Sequence, residues 1–187
     1  MHIYLSRPAV QVVERMIEPL LDKRRAAGLL HMFPRETVDY FSTFTAGELE
    51  VEAVAGSHDS WGENERSINY LIRFPHGPRV LCAWDTGYYR DDSWEYLSGR
   101  YAEVLIMDCT FGGSTTRDEY AYGHLHIVSF LHQLEKMAQI GFIDSQTRVF
   151  ATHFNPHQGL NHEQMQQRFD HSDFTVTVAY DGLAIEV

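Results

Sequence analysis

Several groups that could do chemistry sit where apolar, strand-like runs end. Residues 79–88 read Arg-Val-Leu-Cys-Ala-Trp-Asp-Thr-Gly-Tyr, an apolar run that stops on the carboxylate of Asp85 and then turns at Gly87. Asp108 ends a second such run, His153 follows a third at 148–152, and His58 follows an alternating run at 48–55. Imidazole nitrogen and carboxylate oxygen are the ligand set of zinc, manganese or iron, and a carboxylate has two oxygens with which to bridge a pair of ions. Two ions roughly 3.5–4 Å apart can hold a hydroxide for attack and neutralise charge on a phosphoryl oxygen. Asp85 suits the bridging position. Each group alone also has a plainer reading: Asp85 as an Asx-turn, His58 as a satisfied loop histidine, Asp108 as the cap of the 111–116 loop. His157 and His162 follow His153 within nine residues, a cluster that fits a metal or phosphate site and also a polar linker. Joint position carries the metal reading, because groups that all follow strands can share one edge of a sheet, where α/β proteins place their chemistry.

The elements that must position these groups are legible from periodicity. Leu49, Val51, Ala53 and Ala55 alternate with Glu48, Glu50 and Glu52, which predicts a half-buried strand stopping at Gly56-Ser57-His58. Residues 67–74 and 79–85, joined by Pro-His-Gly-Pro at 75–78, read as a hairpin. Asp92 to Glu95 has the spacing of a capping box and predicts a short helix to Leu97. Strands follow at 101–108 and 148–152, with an amphipathic helix at 123–140 between them and another helix at 161–169. Residues 174–179, a Tyr180-Asp181-Gly182 turn and 183–187 read as a terminal hairpin. At the N-terminus, 2–5 is strand-like, Ser6 can cap a helix that Pro8 starts, and apolar residues from Val12 to Leu21 recur at helical spacing around Pro19. Strands alternating with helices define an α/β class with mixed strand pairing, expected as one domain over 1–187.

Composition narrows the function. A net charge of −11 over 187 residues, with Lys23 to Arg25 the one visible basic cluster, argues against a nucleic-acid surface built on phosphate contacts. The two cysteines, Cys82 and Cys109, lie inside apolar runs and read as buried free thiols of a reducing, cytoplasmic compartment. No apolar run reaches membrane-spanning length, so no membrane partner is expected.

Taken in order, Gly-Ser-His58, Trp-Asp85-Thr-Gly, Met-Asp108-Cys-Thr, Gly-His124-Leu-His-Ile, Thr-His153-Phe and Tyr-Asp181-Gly-Leu-Ala-Ile-Glu-Val resemble the later part of metallo-β-lactamase-fold hydrolases, and most of all the branch of cyclic-phosphate phosphodiesterases of phosphonate metabolism. The resemblance implies an αββα sandwich, a divalent metal site of one or two ions (Zn or Mn), and hydrolysis of a small phosphate ester by metal-held hydroxide. It implies His58, Asp85, His153 and, less directly, His157 as metal ligands, with Asp85 bridging. His124 is implied as the proton donor at the leaving group, so Asp85 and His124 carry the reaction. Asp108 and Asp181 are expected to support the histidines without binding metal.

The family's leading motif, His-x-His-x-Asp-His, is absent from this sequence. The expectation is therefore a sandwich incomplete at its N-terminal side, which holds metal poorly, turns over slowly, and associates as a homodimer or with a complementing N-terminal fragment. Two alternatives from other classes stand beside the phosphodiesterase: a non-catalytic interaction module, and an acyl or lactone hydrolase using the same ligands.

Overall fold

The computed structural model describes residues 3–17, 28, 35–59, 65–113, 118, 120, 122–158 and 160–187. Strand β1 (Ile3–Ser6) pairs in parallel with β2 (Arg35–Val38) as a small separate sheet. Between them, helix α1 (Arg7–Val12) starts as its sequence predicts, with Ser6 Oγ accepting from Ala9 N at 3.2 Å and proline in the first turn, and it continues as a π-helical turn over Val13–Ile17. Pro19, Leu20, Leu21 and the basic cluster 23–25 lie outside the described residues.

The main sheet has seven strands in sequential order: β3 (Thr43–Ala46), β4 (Leu49–Asp59), β5 (Arg66–Arg73), β6 (Arg79–Ala83), β7 (Val104–Asp108), β8 (Arg148–Thr152) and β9 (Val176–Val178). Pairing is antiparallel from β3 to β6 and parallel from β6 to β9. The hairpin at 75–78 forms as expected. Because β4 and β6 both run opposite to β5, and β7 and β8 run with β6, the C-terminal ends of β4, β6, β7 and β8 all emerge at one edge. That edge is where His58, Asp85, Asp108 and His153 sit.

Helices α2 (Asp91–Leu97), α3 (Ile127–Gln139) and α4 (His162–Phe169) share one face of this sheet. Trp94 and Leu97 of α2, Phe130, Leu134 and Met137 of α3, and Met165 and Phe169 of α4 pack with Leu81, Leu105, Val149 and Val176 in a single core. On the other face a register-aligned row, Tyr70–Cys82–Ile106–Phe150, is half-buried and stands apart from that core. Tyr4 of β1 reaches this side, stacking on Phe44 with ring centroids 4.8 Å apart.

Four sequence expectations are corrected. Strand β4 does not stop at 56–58. It runs on to Asp59, with its register to β5 shifting between Ala55 and Asp59, a bulge that bends the strand end. The capping box at Asp92 is not formed: Arg90 is the N-cap, and the Asp92 carboxylate is drawn to Arg66 Nη1 at 2.7 Å. The 123–140 helix begins at Ile127, capped reciprocally by His126 and Ser129, because Gly123 turns at φ 92°. The terminal hairpin is absent: β9 pairs in parallel with β8, and 183–187 form no strand, crossing instead to where Arg148 Nη2 donates to Glu186 O at 2.7 Å. Cys82 and Cys109 are free thiols, and burial pushes both above the usual thiol range.

Arg66 holds the bulged end of β4 in place. Its Nε donates to Gly56 O at 2.7 Å and its Nη2 to Ser93 Oγ at 3.2 Å, while Nη1 pairs with Asp92. Partial burial alone would raise the Asp92 carboxyl, but the hydrogen bond and charge of Arg66 outweigh it and hold the group below its ordinary 3.8. A lowered folded-state pKa contributes stability that is complete above the unfolded value and lost as pH falls through the folded one. Arg66→Met is therefore expected to cost about 2–3 kcal/mol at pH 7, by loss of charge-assisted hydrogen bonds. In urea unfolding the gap to the parent chain should narrow below about pH 4; an unchanged gap at pH 3 would exclude the Asp92 contribution.

Candidate metal centre

Each site residue is placed by its strand end and stitched to the next. Asn69 Nδ2 donates to Trp84 O at 2.7 Å, and the buried Tyr89 phenol donates to Asn69 Oδ1 at 2.7 Å. Burial drives that phenol far above the tyrosine range, so it acts only as a neutral donor. Thr86, next to Asp85, accepts through Oγ1 from Ser57 N at 2.9 Å, which ties the Asp85 turn to the residue before His58. Gly123 N donates to Ser57 O at 2.7 Å and so brings the His124 loop to the same corner. Cys109 N donates to Thr152 O at 2.9 Å and Asn155 N to Thr110 O at 3.0 Å, continuing the β7–β8 pairing past the strands.

The result is a group in which one ligand atom each of Asp85, Asp108, His124 and His153 lies within 4.8 Å of the others. Asp108 is wholly buried. Its Oδ1 accepts from Thr110 N at 3.0 Å and Leu125 N at 3.3 Å. Its Oδ2 accepts from Thr110 Oγ1 at 3.1 Å and lies 2.9 Å from Nδ1 of both His124 and His153. An ionised carboxylate only accepts, so both histidines carry their proton on Nδ1 and present an unprotonated Nε2 when neutral. This is the carboxylate–histidine support seen around metal ligands, and it agrees with Asp108 as a group that orients histidines.

His153 Nε2 lies 3.5 Å from Asp85 Oδ1. Two ligands on one tetrahedral zinc, each bonded at about 2.0–2.2 Å, stand about 3.4 Å apart, so this pair fits a divalent ion. Asp85 and His153 are also held at φ 48° and 63°, in the left-handed region that residues with a Cβ avoid. If that strain serves the site, Asp85→Gly should be more stable than Asp85→Ala by about 1 kcal/mol in urea unfolding, with both losing metal; equal stabilities would refute it.

The remaining sequence candidates fall nearby. His58 is half-buried, its ring standing edge-on to His124 with centroids 4.7 Å apart, outside the four-residue group. His157 is exposed in a 3₁₀ turn (Pro156–Gln158), with its N–H donating to Asn155 Oδ1 at 2.9 Å. His162 Nε2 donates to Val178 O at 2.9 Å and so serves α4–β9 packing. Asp181 makes no hydrogen bond to a histidine among the described residues, so the expected histidine-supporting role is not met there. Sequence reasoning missed Thr110, whose hydroxyl lies 2.8 Å from His153 Nδ1 and 3.1 Å from His124 Nδ1; its place two residues after a strand-end aspartate was the available signal.

No family model matches the chain, and no curated protein matches it by sequence. Solved structures do. The metallo-β-lactamase fold protein YhfI from Bacillus subtilis matches with a TM-score of 0.65 at 15% identity, covering 99% of this chain and 65% of that one. Unliganded yeast PDE1 matches with a TM-score of 0.70 at 13% identity, over 97% of this chain and 58% of that one. A diphosphatase of the PhnP family matches with a TM-score of 0.62 at 14% identity, over 98% of this chain and 56% of that one. The chain thus spans between 56% and 65% of the length of these structures. It has the metallo-β-lactamase fold, and its strand-end aspartates and histidines form a group able to hold a divalent metal. Among the described residues no helix is long and apolar enough to cross a membrane.

Proposed function

We propose that the chain carries the metal-binding half-site of a metal-dependent hydrolase acting on a small phosphodiester or cyclic phosphate. The observation that carries this reading is the paired use of Asp108 Oδ2 by His124 and His153 at 2.9 Å each. One carboxylate sets two imidazoles for two different tasks. His153 Nε2, with Asp85 Oδ1, is at ligand spacing. A bound divalent ion, zinc or manganese, supplies an activated water and positive charge at the phosphoryl oxygen. His124, with Nδ1 committed to Asp108, exchanges its proton at Nε2 and serves the departing oxygen. His58 and His157 are proposed as additional ligands. The likeness to yeast PDE1 and to a PhnP-family diphosphatase supports phosphorus over an acyl carbon as the centre attacked.

Hydrolysis of bis(p-nitrophenyl) phosphate and of a methyl p-nitrophenyl diester, with added zinc or manganese, tests this. Acid catalysis typically contributes 10²–10⁴-fold, and it matters most for a poor leaving group. His124→Ala should therefore lose about 10²-fold or more on a dialkyl or cyclic phosphate and little on p-nitrophenyl esters. Hydrolysis of a lactone or thioester in preference to any phosphodiester would overturn the proposal.

Association is proposed on a separate observation. The row Tyr70–Cys82–Ile106–Phe150 is joined by Trp84, two positions past Cys82 in the chain and 53% exposed. Apolar sheet faces normally pack on a second sheet about 10 Å away. A second copy or a complementing β-rich fragment is expected there, and sedimentation velocity at tens of micromolar should show a species larger than the monomer. Trp84→Glu should shift it toward monomer; a stable monomer in the parent chain would rule the association out.

A further inference from the structure

Asp85 holds a φ of 48° although its side chain is 60% exposed. The left-handed region costs a residue with a Cβ about 1–2 kcal/mol, and a solvated side chain does little to offset that, so the turn must be held through its backbone. The φ of Asp85 is set by how the Trp84–Asp85 peptide plane meets the Asp85 Cα. That plane is rigid, so whatever fixes the Trp84 carbonyl also fixes this φ. Main-chain pairing does not reach it: the register of β5 with β6 ends at Tyr70–Cys82, two residues before Trp84. Where the ladder stops, a side chain takes over, as Asn69 Nδ2 of β5 donates to Trp84 O at 2.7 Å.

Asn69 is wholly buried, and both atoms of its amide are committed. A carbonyl only accepts, so Nδ2 must face Trp84 O, which leaves Oδ1 for the Tyr89 phenol at 2.7 Å. Tyr89 is held in turn, its N–H donating to Gln133 Oε1 at 2.9 Å. Gln133, wholly buried in α3, gives its Nε2 to Met107 Sδ at 3.2 Å. Met107 precedes Asp108 as Trp84 precedes Asp85. Exchanging both partners of a buried hydrogen bond for apolar groups of the same shape can be nearly neutral for stability. What three polar side chains add to this core is direction. We infer that Asn69 is a positioning residue for the metal centre: through the Trp84 carbonyl it holds the peptide plane that aims the Asp85 carboxylate at His153, while Tyr89, backed by Gln133, fixes which way the Asn69 amide points. The inference rests on Asp85 being a metal ligand, as the hydrolase reading requires.

The test compares Asn69→Leu, which keeps the branched shape and loses the donor, with Tyr89→Phe, which takes one oxygen from the core. In metal-free protein the intraresidue HN–Hα NOE and the one-bond Cα–Hα coupling of Asp85 report its φ, and zinc titration gives the affinity. Asn69→Leu should move Asp85 out of positive φ and lower zinc affinity about tenfold, the factor that one lost hydrogen bond represents. Tyr89→Phe should lower it by a smaller factor. The double variant should bind zinc no more weakly than Asn69→Leu alone, because Tyr89 acts through Asn69, whereas two independent packing defects would add. Asp85 keeping its positive φ in Asn69→Leu, or a Tyr89→Phe loss that adds in full, would overturn the inference. If Asn69→Leu does not fold, Tyr89→Phe decides, and an Asp85 φ and zinc affinity matching the parent chain would overturn it there. Failure of the ligand reading is seen separately: an Asp85 φ that moves in Asn69→Leu with zinc affinity unmoved leaves Asn69 as the residue that holds the turn and removes Asp85 from the metal.

Discussion

Asp108→Asn is expected to weaken further a metal affinity that is already low, while leaving the chain folded. The substitution keeps size and an acceptor for Thr110 N and Leu125 N, which Asp108 Oδ1 now satisfies. It replaces Oδ2 by an NH₂ that faces two Nδ1–H groups at 2.9 Å. Two donors cannot share that position, so each imidazole must move its proton to Nε2 or turn away. A histidine protonated on Nε2 has lost the lone pair it would give the metal. Removing such a supporting carboxylate typically lowers metal affinity about 10–100-fold, and a loss in that range is expected through His153, the one of the two histidines that stands at ligand spacing from Asp85. Zinc titration gives the affinity, and imidazole ¹⁵N shifts report the tautomer directly. Unchanged affinity with unchanged tautomers would show that Asp108 does not set the histidines. Asp108→Ala is a harsher variant, since it strands three buried donors, Thr110 N, Thr110 Oγ1 and Leu125 N, each worth about 1–3 kcal/mol when left unpaired, and it is expected not to fold stably.

After dialysis against metal-free buffer, the chain is expected to retain less than one zinc per molecule, and Asp85→Ala none that saturates. The reason is the small ligand set. Asp85 Oδ1 and His153 Nε2, 3.5 Å apart, are the pair at ligand spacing, whereas catalytic zinc usually has three protein ligands. His58, edge-on to His124, can supply a third only by turning its ring. An ion held by two ligands exchanges readily and is poorly aligned with the attacking oxygen, so hydrolysis should climb with added zinc or manganese and stay slow. Asp85→Ala should remove it altogether. Elemental analysis that finds two retained ions per chain, with activity lost in Asp85→Ala, would show a ligand set larger than the one described. The same titration in the presence of the β-rich partner proposed for the sheet face of Tyr70, Cys82, Ile106 and Phe150 should raise affinity if that partner completes the set.

Much of the architecture could be read locally. The alternation of Leu49, Val51, Ala53 and Ala55 against Glu48, Glu50 and Glu52 became β4, and the apolar runs ending at Asp85, Asp108 and His153 became β6, β7 and β8 with their site residues at the exits. Ser6 and Pro8 marked the start of α1. These signals succeed because side-chain period, proline and capping chemistry act over a few residues. The errors came where a distant partner outbid a local rule. Asp92 has capping-box spacing, yet Arg66, 26 residues away, takes its carboxylate. Residues 183–187 follow a good turn sequence, yet Arg148 draws the tail across the sheet.

What the sequence by itself determined is the kind and the edge of the chemistry: aspartate and histidine at strand ends, in an order resembling metallo-β-lactamase-fold hydrolases. What only the tertiary structure decided is how those residues share their bonds. That Asp108 serves His124 and His153 through a single oxygen, that Thr110 sits between them, and that Asp181 faces a cleft instead of a histidine depend on strand order and direction. They are distances between residues up to 45 positions apart in the chain, and no short-range pattern encodes them. The physical reason is that a strand's periodicity specifies which face a side chain takes, while the packing of one strand against the next specifies what that side chain meets.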